Sequence, residues 1–301
     1  MQPQRIKSIT EFHRQRNLAP PEHPLISVIN FEHIGYTCDA HPIVMDFYSI
    51  SLKKNTNTKI KYGQSVYDFD EGTLFFMSPG QVFQIQRTKD ATSTRSGWLL
   101  LVHPDFLWNT PLAKDIRQYE FFGYATNEAL FLSAQEEEKI AEVISQIQKE
   151  CRSNIDKFTQ NIIIAQLNLL LSYSERFYNR QFITRKVTNH QVLERLEHLL
   201  NEYFNGEEPV KKGIPTVQFV AEALNISPNY LSGLLKIVTG SSTQQHIHNF
   251  LIEKAKEKLS TTNLSVSEIA YELGFEHPQS FSKLFKAKTR LSPLEFRQSF
   301  N

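Results

Sequence analysis

Apolar and polar positions alternate in short runs through roughly the first hundred residues, and they follow helical spacing afterwards. Apolar runs at 44–50, 74–77 and 98–102 are separated by stretches that contain Asn, Gly and Pro. Strands at this spacing are typical of an antiparallel barrel or jelly roll. The pattern therefore predicts a multidomain α+β chain, with a β-barrel at about 20–105, helices at about 133–178 and an all-α C-terminal region.

The C-terminal region contains one short pattern twice, at 227–239 and again fifty positions later at 277–289. A short apolar helix precedes each copy and ends at Asn225 or Gly274, and these are residue types that stop a helix in a left-handed turn. Each copy then places a proline at the expected first helical position. The repeat predicts two units of helix, tight turn and helix, at about 217–238 and 266–288.

The second helix of each predicted unit has one apolar face and one polar face. Amide, hydroxyl and ammonium groups on one helix face suit base edges and phosphates, although a single such face is more often merely solvated. Two copies in matching contexts favour nucleic-acid contact. The predicted DNA-binding residues are Asn229, Tyr230, Ser232, Gly233, Lys236, His277, Gln279, Ser280, Ser282, Lys283 and Lys286.

The segments 220–240 and 268–297 resemble the two halves of the DNA-binding domain of AraC/XylS-family transcriptional regulators. The resemblance implies a bacterial, cytoplasmic regulator that binds double-stranded operator DNA as a homodimer, with RNA polymerase as a further partner. It places the DNA-binding domain at 191–301, a linker at 181–190 and a sensor and dimerisation domain at 1–180. The chain departs from the family pattern at Gly233, Leu251 and Arg290, and Gly233 suggests fewer base contacts from the first recognition helix.

The stretch 67–81 resembles the cupin-like sensor domain that precedes many AraC-type DNA-binding domains. This resemblance implies control by a small-molecule effector. Aromatic and Met side chains on the predicted strands are candidates for lining its pocket, although aromatic strand residues more often form plain core. The candidates are Phe47, Phe75, Met77, Phe83 and Trp98.

The helix predicted at 155–178 is apolar over more than half of its circumference, so it needs two packing partners. One partner is the barrel, and the second is either more of the same domain or the same helix of a second subunit. The resemblance favours the second subunit. The predicted dimerisation residues are Ile155, Phe158, Ile162, Ala165 and Leu169.

The charge distribution along the chain and the spacing of possible metal ligands limit the classes of function that fit this sequence. The formal net charge is +1, but 211–301 carries eleven Lys or Arg against seven Asp or Glu, which agrees with a nucleic-acid partner. No His-x-His pair lies in the β region, so neither a metal site nor a cofactor is expected. The alternative is a cupin-type metal-dependent enzyme with a helical appendage, but no catalytic constellation supports it. No leader peptide or membrane span is expected either.

Overall fold

The computed structural model describes residues 3–34, 42–54, 60–62, 65–67, 72–83, 96–124, 128–153, 156–184 and 186–299. The chain divides into two compact units, residues 1–181 and 182–301, and the boundary falls inside one long helix. Residues 181–184 and 186–190 are helical, so the segment predicted as a linker is largely helical. The predicted domain bounds themselves stay a prediction.

The first unit contains ten strands and four helices among its described residues. The strands are β1 (Gln4–Ile6), β2 (Ile26–Asn30), β3 (Ile43–Met45), β4 (Tyr48–Lys54), β5 (Ile60–Tyr62), β6 (Ser65–Tyr67), β7 (Thr73–Met77), β8 (Val82–Phe83), β9 (Ser96–Val102) and β10 (Leu130–Phe131). The helices are α1 (Ile9–Gln15), α2 (Leu112–Asp115), α3 (Ala134–Arg152) and α4 (Thr159–Thr184), the last of which continues across the boundary.

The strands form three separate sheets within the described part of the chain. A five-stranded antiparallel sheet has the order β10-β7-β4-β9-β2, with Ile50 paired to both Phe76 and Leu100 at its centre. A smaller sheet has the order β1-β3-β8, and β5 pairs with β6. The first unit is thus an α+β domain, but among the described residues these sheets do not close into the predicted barrel.

The apolar run at 44–50 was predicted as one strand, but it forms parts of β3 and β4. The chain turns at Asp46, whose backbone N–H donates to the Ile6 carbonyl at 3.0 Å and whose carboxylate pairs with Arg5. Phe47 then enters the core, where it is fully buried beside Phe12. The bend between the two sheets therefore falls at the one charged residue of this run.

The predicted helix start at Ile155 is wrong, because α4 begins at Thr159. The Asp156 carboxylate accepts hydrogen bonds from the Phe158 N–H at 2.7 Å and the Thr159 N–H at 3.0 Å. These bonds favour the ionised carboxylate and lower the pKa of Asp156. Asp156 therefore caps the turn that leads into the helix.

The second unit is all helical within its described residues. Its helices are α5 (Lys186–Asn205), α6 (Glu208–Lys212), α7 (Val217–Leu224), α8 (Pro228–Thr239), α9 (Thr243–Thr261), α10 (Val266–Glu272), α11 (Pro278–Thr289) and α12 (Pro293–Gln298). Capping boxes start α10 and α12, because at 265–268 and at 292–295 the Ser hydroxyl and the Glu carboxylate each accept from the other residue's backbone N–H.

Two features are absent from the described residues, a membrane-spanning helix and a cluster of metal ligands. No helix there is both long and apolar enough to cross a bilayer. No group of three or more His, Cys, Asp or Glu side chains there could hold a metal ion, and the lack of a metal site in the whole chain stays a prediction.

Candidate nucleic-acid interface

The first helix-turn-helix unit consists of α7, a three-residue turn and α8. Asn225 ends α7 in the left-handed conformation, with φ at 58°. The Ser227 hydroxyl accepts from the Tyr230 N–H at 3.2 Å, and Pro228 occupies the first helical position. These are the stop and start signals that the sequence predicts. The buried face of α8 carries Leu231, Leu234 and Leu235.

The second helix-turn-helix unit, α10 with α11, is built in the same way as the first. The Ser265–Glu268 capping box starts α10, and its hydrogen bonds lower the pKa of the Glu268 carboxyl. Gly274 follows α10 with φ at 88°, and Pro278 starts α11. Phe281 and Phe285 are fully buried on the inner face of α11. The repeat in the sequence is therefore a repeat in structure, with two recognition helices of 12 residues each.

Most of the residues predicted on the polar face of α8 are buried or make contacts within the second compact unit. The Ser232 and Thr243 hydroxyl oxygens are hydrogen-bonded at 3.1 Å, and Thr243 is fully buried. The Tyr230 ring packs edge-on against Phe182, with centroids 5.0 Å apart, and Gly233 is buried. Of the five residues predicted on α8 to bind DNA, Asn229 and Lys236 are exposed.

The polar face of α11 is open. Five of the six predicted residues at this helix are exposed: His277, Gln279, Ser280, Lys283 and Lys286. The sixth, Ser282, returns its hydroxyl to the Pro278 carbonyl at 3.0 Å. None of Lys236, Lys283 and Lys286 pairs with a carboxylate that the structure describes within 4.0 Å. The ammonium groups are thus available to phosphate oxygens.

Arg290 ends α11 in the left-handed conformation, with φ at 67°, where Gly240 ends α8 with φ at 74°. A residue with a Cβ is strained there, typically by about 1–2 kcal/mol. We therefore expect Arg290→Gly to raise the free energy of unfolding of the second helix-turn-helix unit by about 1 kcal/mol. Urea denaturation followed by far-UV circular dichroism measures the change. Arg290→Ala removes the same guanidinium but keeps the strain, so an equal gain in that variant would contradict the explanation.

The predicted effector residues do not converge on one cavity among the described residues. Phe47 and Phe75 are core, and Met77 packs against the cluster around Phe47. Phe83 lies in β8, but its side chain is outside the described part. Trp98 borders a groove of about 710 Å³ whose other wall is α3. That wall contributes Ala134, Glu137, Glu138, Ala141, Glu142, Ser145, Gln146 and Lys149.

The predicted dimerisation residues form a surface stripe. Ile162 and Leu169 on α4 are 42% and 44% exposed, Phe158 just before the helix is 55% exposed, and Ala165 lies exposed between them. Ile155 lies outside the described residues. The opposite side of α4 is buried, with Ile163, Leu167 and Leu170 at its centre. The helix therefore has one partner within its own chain and one apolar stripe without any described partner.

Known proteins match the C-terminal part of the chain. A family model described as a helix-turn-helix domain matches residues 220–299. An uncharacterized HTH-type transcriptional regulator in the cgkA 5′ region of Pseudoalteromonas carrageenovora is 32% identical over 116 residues, which are 38% of this chain and 64% of that protein. The uncharacterized HTH-type transcriptional regulator YijO of Escherichia coli (strain K12) is 35% identical over 86 residues, 29% of this chain and 30% of that protein.

A solved structure matches the same part of the chain. The C-terminal domain of the two-component response regulator yesN from Fusobacterium nucleatum is 29% identical, with 36% of this chain and 98% of that one covered. Its TM-score is 0.32, so this similarity adds nothing to the assignment. Both relatives are named as HTH-type transcriptional regulators, and this chain covers less than two thirds of the length of either. The C-terminal part of this chain is a helix-turn-helix domain of the AraC/XylS family.

Proposed function

We propose that this chain regulates transcription by binding double-stranded operator DNA through α8 and α11. The observation that carries the proposal is the exposed polar face of α11, which repeats the helix-turn-helix position of α8 and holds two unpaired ammonium groups, those of Lys283 and Lys286. Side chains of these types contact base edges and phosphates when a recognition helix enters a major groove. Two such helices in one unit would occupy successive grooves about 34 Å apart.

Selection of DNA fragments from a random pool by the purified full chain tests this proposal. We expect enrichment of a common sequence, with an affinity that exceeds that for scrambled DNA by at least about a thousandfold. Equal affinity for selected and scrambled fragments at physiological salt would contradict it.

We propose further that the chain is a homodimer held together by the stripe formed by Phe158, Ile162, Ala165 and Leu169. These residues are spaced by three or four positions, so they lie on one face of the helix. Apolar side chains in a continuous exposed row are typical of an association surface. Two copies of the stripe packed against each other would supply the second partner that α4 lacks.

We expect Ile162→Glu combined with Leu169→Glu to convert the dimer to monomers, because two carboxylates would be buried without partners in the interface. Sedimentation at micromolar concentration measures the change. Gln135→Glu adds a carboxylate to an exposed helix position outside the stripe and should leave the dimer intact. A wild-type chain that is monomeric at this concentration, with or without DNA, would contradict the proposal.

The effector is proposed to bind the groove between Trp98 and α3 in the first unit. The resemblance of 67–81 to a cupin-like sensor supports an effector, and the lining of the groove indicates its chemistry. The charged residues Glu138, Glu142 and Lys149 line it and give a net negative charge beside an indole ring. This combination favours a small cationic molecule.

RNA polymerase is proposed as a further partner on the family resemblance alone.

A thermal-shift screen with small amines and matched small carboxylic acids tests the proposed groove. We expect amines to raise the melting temperature of the wild-type chain, and we expect Trp98→Ala to abolish the shift. Trp108 is the other tryptophan and is 67% exposed outside the groove, so Trp108→Ala should keep the shift. An amine-induced shift that survives in Trp98→Ala would place the effector elsewhere.

A further inference from the structure

The two recognition helices differ in how many long polar side chains they offer to a base. Helix α8 has one exposed side chain in its first two turns that carries an amide or a charge, Asn229. The corresponding part of α11 has two such side chains, Gln279 and Lys283, with the Ser280 hydroxyl between them. A helix that reads several bases needs several such side chains near its N-terminal end.

Packing within the second compact unit explains why α8 offers few long polar side chains to a base. Ser232 has its hydroxyl bonded to the buried Thr243, so a base contact would cost that internal bond. Tyr230 keeps its ring on Phe182. Gly233, one turn after Asn229, has no side chain and is buried, whereas Lys283 holds the equivalent place on α11 and is exposed.

We propose that base discrimination in this chain is concentrated in α11, while α8 mainly attaches the unit to the DNA backbone. This inference rests on the proposed function of sequence-selective DNA binding. The Asn229 amide and the Lys236 ammonium contact phosphates, which position a protein without reading sequence. Gln279 and Lys283 contact base edges.

The spacing of the two readers specifies what they recognise. A Gln amide pairs with the N6 and N7 atoms of adenine, and a Lys ammonium donates to O6 and N7 of guanine. Gln279 and Lys283 are four residues apart, which corresponds to a rise of about 6 Å along the helix. Successive bases on one strand rise by about 3.4 Å. Because the helix crosses the DNA axis at an angle, the step along the DNA is shorter than this rise, and the preferred site contains an adenine and a guanine one or two base pairs apart.

Affinity for every single-base variant of the selected operator tests the inference in the full chain. We expect one strongly specified segment in each half-site of the operator, containing the adenine and the guanine, with roughly tenfold to hundredfold loss per substitution. The neighbouring segment, about ten base pairs away, should tolerate substitution within about threefold.

Single alanine variants assign the segments to helices. We expect Gln279→Ala to flatten the preference at the adenine position and Lys283→Ala at the guanine position. We expect Asn229→Ala to weaken binding to every sequence by a similar factor. All three side chains are exposed, so these changes leave the fold intact.

Two specified segments of equal strength within one half-site, or loss of one base preference in Asn229→Ala, would overturn the inference while leaving the proposed function in place. A protein without any sequence preference would instead refute the proposed function.

Discussion

Replacing Gly274 by alanine is expected to unfold the second helix-turn-helix unit. Its φ of 88° is strained for any residue with a Cβ. An added Cβ would also lie 2.7 Å from the Gly213 carbonyl carbon and 2.9 Å from the Pro209 carbonyl oxygen. Both are backbone atoms, so neither can move aside as a flexible side chain can. We expect a loss of about 3–5 kcal/mol from strain and overlap together.

Hydrogen exchange of amides in α10 and α11 measures this loss without relying on tryptophan, since Trp98 and Trp108 both lie in the first unit. Gly240→Ala is the matched control. Its φ of 74° is equally left-handed, but an added Cβ would meet nothing within 4 Å, so it should cost only about 1–2 kcal/mol. Equal losses in the two variants would show that the contact between the Gly274 and Gly213 backbones has no energetic role.

The double variant Lys236→Gln with Lys286→Gln is expected to lose roughly two units of the slope of log affinity against log salt concentration. Each ammonium occupies the same position in its recognition helix, and neither has a described ion-pair partner. Each proposed phosphate contact releases one counterion, and a hydrogen bond to a charged group contributes on the order of 2 kcal/mol. Affinity at low salt should therefore fall by at least about a hundredfold.

The control removes the same net charge elsewhere in the unit. Lys211 pairs with Glu207 at 2.6 Å and Lys256 with Glu253 at 2.7 Å, so both ammonium groups are already engaged. Lys211→Gln with Lys256→Gln should leave the salt slope within about half a unit. Titrations at four salt concentrations separate the two variants. A similar decrease in both would mean that only net charge matters and that no defined phosphate contact exists.

The helix starts and stops of the C-terminal unit could be predicted from the sequence, because they depend on residues that are neighbours along the chain. Asn225 and Gly274 stop helices, Pro228 and Pro278 start them, and the Ser–Glu pairs close capping boxes. The hydrogen bond between the Ser232 and Thr243 side chains could not be predicted from the sequence. It joins two helices, and a polar residue has the same place in the periodic pattern whether it faces solvent or another helix.

The N-terminal unit was less predictable for a related reason. The pattern identified strands and the two-sided helix α4, and in the structure Ile162, Ala165 and Leu169 lie exposed on one side of that helix. It could not give the helix start, which depends on how Asp156 bonds to Phe158 and Thr159. It also joined β3 to β4, because a single Asp46 between apolar neighbours is equally compatible with one strand that has a solvent-facing residue.

The open polar face of α11 has an evolutionary consequence. The side chains of Gln279 and Lys283 make no hydrogen bond or ion pair within the described part of the chain, so changing them does not disturb the fold. Under the proposed reading of bases by α11, a gene duplicate would acquire new target sites through one or two substitutions, without first gaining a stabilising mutation. The same substitutions at Ser232 or Gly233 would compete with packing, so α8 should diverge more slowly among descendants of this protein.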